Sequence, residues 1–285
     1  LLSISLVLVL CSGLAHAIWN FLAKKNEDKA AFLWIILVPS NAVLLVYACL
    51  EISRVGLPWK GIVLAILSMG IQALYAILLT QTYKQGDLSQ VYPIMRGTST
   101  VLTPVLGVIF LSESLHAMGW LGIISMIFGF IVMSGWFPGV QSAGLRFKPV
   151  FLAISVGLCT TGYTLIDKLF LHYLSPLSLL GIANIGFMLG ITRSVMPFER
   201  IRRSWQKYRT VLLIGAILSP GSYLLFLYAM NQAPVSNIAP MREVGIVFGT
   251  ILGLTLLKER HVGRRLVASI FIVCGIWVIA AFGSG

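Results

Sequence analysis

Gly86-Asp-Leu-Ser-Gln-Val-Tyr-Pro-Ile-Met-Arg-Gly97 carries an arginine into an apolar run, and Met241-Arg-Glu243 does the same 146 residues later. With that shift, residues 91–136 overlay 237–282 without a gap. Met95-Arg96 falls on Met241-Arg242, Gly107 on Gly253, Leu111-Ser-Glu113 on Leu257-Lys-Glu259 and Gly129 on Gly275. Ten of the 46 positions are identical, a number that apolar sequence reaches easily, so the weight rests on the arginine and on the glutamate at the next helix end. Upstream, a shift of 144 places Trp19 on Tyr163 and Lys24 on Lys168. The chain reads as two related halves, 1–137 and 150–285, joined by a connecting loop at 138–149.

Composition supplies the surrounding medium. Of 285 residues, 58% are apolar and 11% charged, with mean hydropathy +0.93. A soluble protein carries about a quarter charged residues. An ordinary soluble enzyme, a disordered chain and a nucleic-acid-binding domain are therefore excluded, and the partner of most of the surface is the lipid bilayer. The net charge of +12 lies in short clusters between apolar runs, where basic residues report orientation. Cys11, Cys49, Cys159 and Cys274 all fall inside apolar segments and read as small buried hydrophobes.

A helix needs about 20 apolar residues to cross the hydrocarbon. Ten such spans are expected, at 2–23, 30–50, 61–82, 88–111, 119–137, 150–171, 176–197, 210–230, 234–257 and 265–283. Leu1–Leu10 followed by Ala15-His16-Ala17 has the look of a signal peptide, but the run continues through Trp19 to Leu22 and is read as a span. The fold class is an all-α integral membrane protein, ten transmembrane helices in a 5+5 repeat. Sixteen basic residues lie in or beside the loops after odd-numbered spans, against three after even-numbered ones. The odd loops are thus expected in the cytoplasm and both termini outside. Because five is odd, the second half enters from the opposite side. This is the inverted plan that places a binding site near the midplane.

Arg96 and Arg242 then lie roughly 12 Å deep from opposite faces, at 1.5 Å per residue. A buried arginine costs about 2.5–3.5 kcal/mol on insertion scales, so something must offset it. One reading is an anion clamp for a carboxylate or phosphate; the other is a structural ion pair or a carbonyl-bonded arginine. Glu243 reads as the one acid deep inside an apolar run, pointing away from its neighbour Arg242. It suits either a coupling-proton site or a permanent partner for an arginine of another helix. His16 is the other titratable candidate for coupling, or a hydrogen-bonded packing residue.

Polar stripes at helical spacing mark inward faces. They comprise Ser12, His16, Trp19 and Asn20 in span 1, and Ser68, Gln72 and Tyr75 in span 3. Span 4 shows Ser89, Tyr92, Arg96, Ser99 and Thr103, and span 6 shows Thr160, Tyr163, Thr164 and Asp167. Tyr223 of span 8 completes the candidate substrate-binding set of Arg96, Arg242, Tyr92, Trp19, Asn20, His16, Gln72, Tyr75 and Tyr163. Interhelical hydrogen bonding explains single hydroxyls, while tryptophan and tyrosine suit a cavity that grips organic groups. Spans 5 and 10 lack stripes and are expected at the periphery. Gly86-Asp87 through Gln90 reads as a helix cap. Pro93, Pro104, Pro234 and Pro240 bracket the arginines, and Gly245, Gly249 and Gly253 read as a packing ridge. The basic stretch 199–209 reads as a loop against lipid headgroups. No phosphate-binding loop, metal cluster or Ser/His/Asp arrangement stands out, so no cofactor and no enzyme activity is expected.

His16-Ala-Ile-Trp-Asn20, the stretches around Arg96 and Glu113, Met241-Arg-Glu243 and Leu257-Lys-Glu-Arg260 make the whole chain resemble EamA-type members of the drug/metabolite transporter superfamily. The resemblance implies an inverted 5+5 repeat, a central cavity from helices 1–4 and 6–9, and outer supports from 5 and 10. It also implies basic residues of helices 4 and 9 binding anions, as in the related sugar-phosphate translocators. Many members keep both termini in the cytoplasm; the basic-residue count here places them outside.

The expected function is secondary transport of a small anionic or zwitterionic metabolite, an amino acid or a related compound, by alternating access and in the direction of export. H+ is the candidate coupling ion, the location is the bacterial inner membrane, and the unit is a monomer or a homodimer. The rivals are an exporter of lipophilic cations and a membrane-embedded enzyme acting on a phosphorylated lipid.

Overall fold

The computed structural model describes residues 2–24, 26, 28–86, 88–134, 147–196, 198–257 and 262–283. The helices are α1 (Leu2–Lys24), α2 (Lys29–Val55), α3 (Trp59–Gln85), α4 (Leu88–Leu111), α5 (Ala117–Ser134), α6 (Phe147–Phe170) and α7 (Pro176–Val195). They continue with α8 (Glu199–Gln232), α9 (Val235–Met241), α10 (Val244–Leu257) and α11 (Val262–Phe282). Among the described residues, nine helices are long and apolar enough to cross a membrane by themselves. The ninth crossing is made by α9 and α10 in series, about 32 Å of helix at 1.5 Å per residue. Asp87, most of the 138–149 connection and Lys258 to His261, with Glu259 among them, lie outside the described residues, as do the side chains of Lys24, Ser89 and Gln90 and the packing at Gly253.

Packing follows the inverted repeat. α1 packs on α8 as α6 packs on α3, and α10 packs on α1 as α4 packs on α6. α3 packs on α7 as α8 packs on α2, and counterparts also meet directly, α2 with α7, α4 with α9 and α5 with α11. Glycines show the reciprocity at atomic scale. A Cβ on Gly122 would meet the Gly275 carbonyl at 2.7 Å, and one on Gly129 the Ala268 carbonyl at 2.8 Å. Under the 146 shift those two contacts are the same contact seen from each half. Ser125 Oγ donates to the Phe271 carbonyl at 2.9 Å, and Phe271 is Ser125's own counterpart, so the two-fold axis passes beside this pair. α5 and α11 thus close on each other through small residues, and their outer faces, Ile124 and Trp277 among them, are exposed for lipid.

The second close approach reaches the site. A Cβ on Gly13 of α1 would meet Val244 at 2.5 Å and the Arg242 carbonyl at 3.2 Å. Its counterpart at a shift of 144, Gly157 of α6, would meet Thr98 at 2.6 Å and the Met95 carbonyl at 2.8 Å. Each arginine turn is therefore pressed against a glycine of the other half.

Three expectations are corrected. Span 9 is interrupted at Arg242-Glu243, where Glu243 N–H donates to the Pro240 carbonyl (3.0 Å), Gly245 N–H to Arg242 (3.2 Å) and Ile246 N–H to Glu243 (2.9 Å). These are three-residue rather than four-residue steps, a tightened turn in mid-helix. Of the proposed glycine ridge, Gly245 abuts Gly13, but a Cβ on Gly249 would meet nothing within 4 Å. The basic stretch is helical: α8 begins at Glu199 and bends at Tyr208 (φ −128°, ψ 22°). Ile201 and Tyr208 pack on the cluster of Phe32, Ile36 and Leu212, and Ser204 is buried beneath the same face. An amphipathic face makes this segment a helix despite its charge.

Candidate functional site

The centre of the bundle is built by α1, α3, α4, α6, α8 and the α9–α10 turn. Arg96 of α4 and Glu243 of the turn form an ion pair, Nε to Oε2 at 3.1 Å, with side chains 14% and 6% exposed. The carboxylate lies out of line with the N–H, so Arg96 Nε and Nη2 and Glu243 Oε2 have no hydrogen-bond partner. Glu243 thus faces the other half's arginine and not its sequence neighbour. Tyr92, one turn before Arg96, places its ring 5.8 Å from the guanidinium.

Arg242 is 9% exposed and has no acidic partner among the described residues. Its guanidinium lies over the rings of Phe226 (4.6 Å) and Tyr223 (5.2 Å), and its Nε lacks a hydrogen-bond partner. A cation stacked on ring faces is attracted by their quadrupoles but keeps its N–H edge free. Phe226 was not expected here, although it follows Tyr223 at a spacing of three.

From Tyr223 an aromatic chain crosses to α3. Tyr223 meets Tyr163 (6.0 Å between centroids), and Tyr163 meets Tyr75 (5.5 Å), each edge to face. His16 of α1 is half-buried and contacts Trp19 edge-on at 5.2 Å. Trp19 itself packs against the Phe32–Leu212 cluster. Asn20 is engaged locally, its Nδ2 donating to the His16 carbonyl at 2.8 Å. Gln72 is buried one turn from Ser68.

Glu243 is not the one deep acid. Asp167 of α6 is fully buried, accepting from Ser68 Oγ at 2.6 Å and from Tyr223 Oη at 2.5 Å. Sequence alone placed it near a helix end; its depth comes from α3 and α8 packing over that end.

Beyond Asp167, charged groups hold the corner between α8 and α9. Lys168 Nζ donates to the carbonyls of Met230 and Ala233, the latter at 3.0 Å, at the end of α8. Glu113 accepts from the N–H groups of Val235 and Ser236, both at 2.8 Å, at the start of α9. These are favourable charges at a C-terminus and an N-terminus respectively. Glu51 caps α7 in the same way, accepting from Ser175 N–H at 3.0 Å and from the hydroxyls of Ser175 and Ser178. A cleft of about 530 Å³ opens at this end, walled by Glu113, Lys168, His172, Asn231 and Gln232 among others. Among the described residues no group of His, Cys, Asp and Glu could hold a metal ion.

An inverted helical repeat with broken helix and buried charges at its centre is the build of a membrane transporter. The EamA-like transporter family matches residues 147–281, and the Small Multidrug Resistance protein family matches residues 48–126. Multidrug resistance protein EbrA of Bacillus atrophaeus is 35% identical over 89 residues, which are 31% of this chain and 81% of that protein. A solved crystal structure superposes with a TM-score of 0.77 over 97% of this chain and 96% of that one; at 14% identity it shows a shared fold alone. The chain belongs to the EamA-type transporters of the drug/metabolite transporter superfamily, multi-pass proteins of the cell membrane.

Proposed function

We propose that the protein carries a small anionic or zwitterionic organic metabolite, an amino acid or a related compound, by alternating access and in the direction of export. The observation that supports this is Arg242: a buried guanidinium with no acid within ion-pair distance among the described residues and with its Nε lacking a hydrogen-bond partner. A substrate carboxylate supplies the missing charge and a planar two-pronged contact. Arg96 is the second fork, with Glu243 as its resident counter-ion, released when a solute acid or a proton takes its place. His16, the imidazole on the inward face of α1, is a second candidate for proton coupling. Tyr75, Tyr92, Tyr163 and Tyr223 form walls for the organic part, and their faces also accept an ammonium group. In this reading the basic face is cytoplasmic and both termini are outside.

A second reading, export of lipophilic cations, draws on the name of the relative EbrA and on the buried carboxylates of Asp167 and Glu243. Proteoliposomes loaded with radiolabelled amino acids separate the two. Efflux by the wild type that is lost in R242A, and is not inhibited by tetraphenylphosphonium, supports the anion reading. Tetraphenylphosphonium transport that survives R242A supports the cation reading.

A further inference from the structure

Glu51, Glu113, Glu243 and Asp167 are acids set against other helices, and the first three are already engaged. Glu51 and Glu113 cap helix starts through backbone N–H groups, and Glu243 faces the Arg96 cation. Asp167 differs from all three. Its hydrogen-bond donors are two hydroxyls, and among the described residues no cation stands within ion-pair distance.

We propose that Asp167 is a proton-binding site of the transport cycle, which ties the two halves together when ionised and loosens them when protonated. The carboxyl group bridges Ser68 on α3, in the first half, and Tyr223 on α8, in the second. An ionised carboxylate only accepts, so both hydroxyls donate to it, and such charge-assisted bonds are roughly twice as strong as neutral ones. A protonated carboxyl must donate one bond. Because hydroxyls both donate and accept, Ser68 or Tyr223 can turn to receive it, and the cluster holds either state without an orphaned atom. The change lowers the strength of the α3–α6–α8 tie while keeping its members in place.

The surrounding charges leave that change uncompensated. On its own helix Asp167 has Tyr163 one turn back and Lys168 next in sequence, whose ammonium is held by the Met230 and Ala233 carbonyls. α8 brings Tyr223, with Arg242 stacked over its ring. α3 brings Ser68, with Gln72 and Tyr75 further along the same face. An ionised carboxylate without a cation is costly in a dry interior, so a proton is the simplest neutraliser. The next two residues, Lys168 and Leu169, wall the cleft at the end of the bundle, while Asp167 itself is fully buried behind them. The device belongs to one side of the membrane: under the shift of 144, the counterpart of Asp167 is Ala23, which has no polar atom to offer. The inference holds for any carried solute.

Infrared difference spectroscopy of the detergent-purified full chain, recorded as the pH is lowered, tests it without a substrate. The chain has three aspartates, Asp28, Asp87 and Asp167, so [13C]aspartate labelling separates them from glutamates. A buried protonated-carboxyl band is expected that shifts with the label, persists in E243Q and vanishes in D167N. A band insensitive to the label, or one retained in D167N, overturns the proposal. Should D167N not fold, the label in the wild type decides. Hydrogen exchange reads the tie itself: amides in α3 and α6 beside the cluster are expected to exchange roughly tenfold faster at low pH and in S68A and Y223F. Exchange indifferent to both pH and these substitutions also overturns it.

Discussion

α4 and the α9–α10 pair descend from one pattern, yet one is continuous and the other breaks at its arginine. α4 keeps a single helix through Pro93 and Pro104. Just past Arg96, Thr98, Ser99 and Thr100 fold their hydroxyls back onto the carbonyls of Ile94 and Arg96, at 2.8–3.0 Å. The aligned residues after Arg242 are Val244, Gly245 and Ile246, which have no hydroxyl, and Pro240 just before it lacks an N–H. There the chain tightens into the three-residue turn. The other difference is a single position: Gly97 in the first half stands where Glu243 stands in the second. That carboxylate neutralises the opposite half's arginine and leaves its own neighbour unpaired. Near-symmetric halves thus place one arginine against a carboxylate and leave the other without an ion pair among the described residues, the asymmetry on which the proposed function rests.

Substitutions can break or sharpen this contrast. The largest effect is expected from R96A, which strands the Glu243 charge and should destabilise the fold by about 3–5 kcal/mol. R96A/E243A should recover most of that loss, and R242A, which strands no acid, should cost far less. Equal losses for R96A and R242A in detergent unfolding titrations would erase the distinction between the arginines. Next come G13V and G157V, each forcing a side chain into the counterpart arginine turn, at about 1–3 kcal/mol apiece. Similar losses would bear on the reciprocity of the halves, whereas G249A, facing open space, should be neutral to slightly stabilising. E113A should cost about 1 kcal/mol by uncapping the short α9, read as faster hydrogen exchange at Val235 and Ser236. The smallest loss, about 0.6 kcal/mol, is expected of S125A at the two-fold axis, by the same unfolding titration.

Much of this architecture was legible in the sequence. The ten apolar runs, the repeat and the odd helix number per half lead to an inverted bundle, because length and hydropathy are local properties that lipid enforces. Arg96 and Arg242 stood out since charge is rare at that depth. The partner of Glu243 did not. Helical spacing correctly turns it away from Arg242, but what it turns toward lies 147 residues back and is set by packing. Asp167 reads as the last member of a stripe because the sequence shows distance from a helix end, not what neighbouring helices cover. The break at Arg242 was equally hidden, since four prolines flank the arginines and only one site gives way. Charge misled at 199–209, where Ile201, Ser204 and Tyr208 recur at helical spacing beneath the arginines.

The claim that Arg242 is the vacant cation is tested most directly by ligand-dependent thermal stabilisation of the detergent-purified protein. The probes are a panel of amino acids, other carboxylates and sugar phosphates, with tetraphenylphosphonium as the cationic control. Stabilisation by one or more anion-bearing compounds, retained in E243Q and lost in R242Q, is predicted, because a ligand that binds the native state raises its apparent stability. Stabilisation by tetraphenylphosphonium alone, undiminished in R242Q, would contradict it.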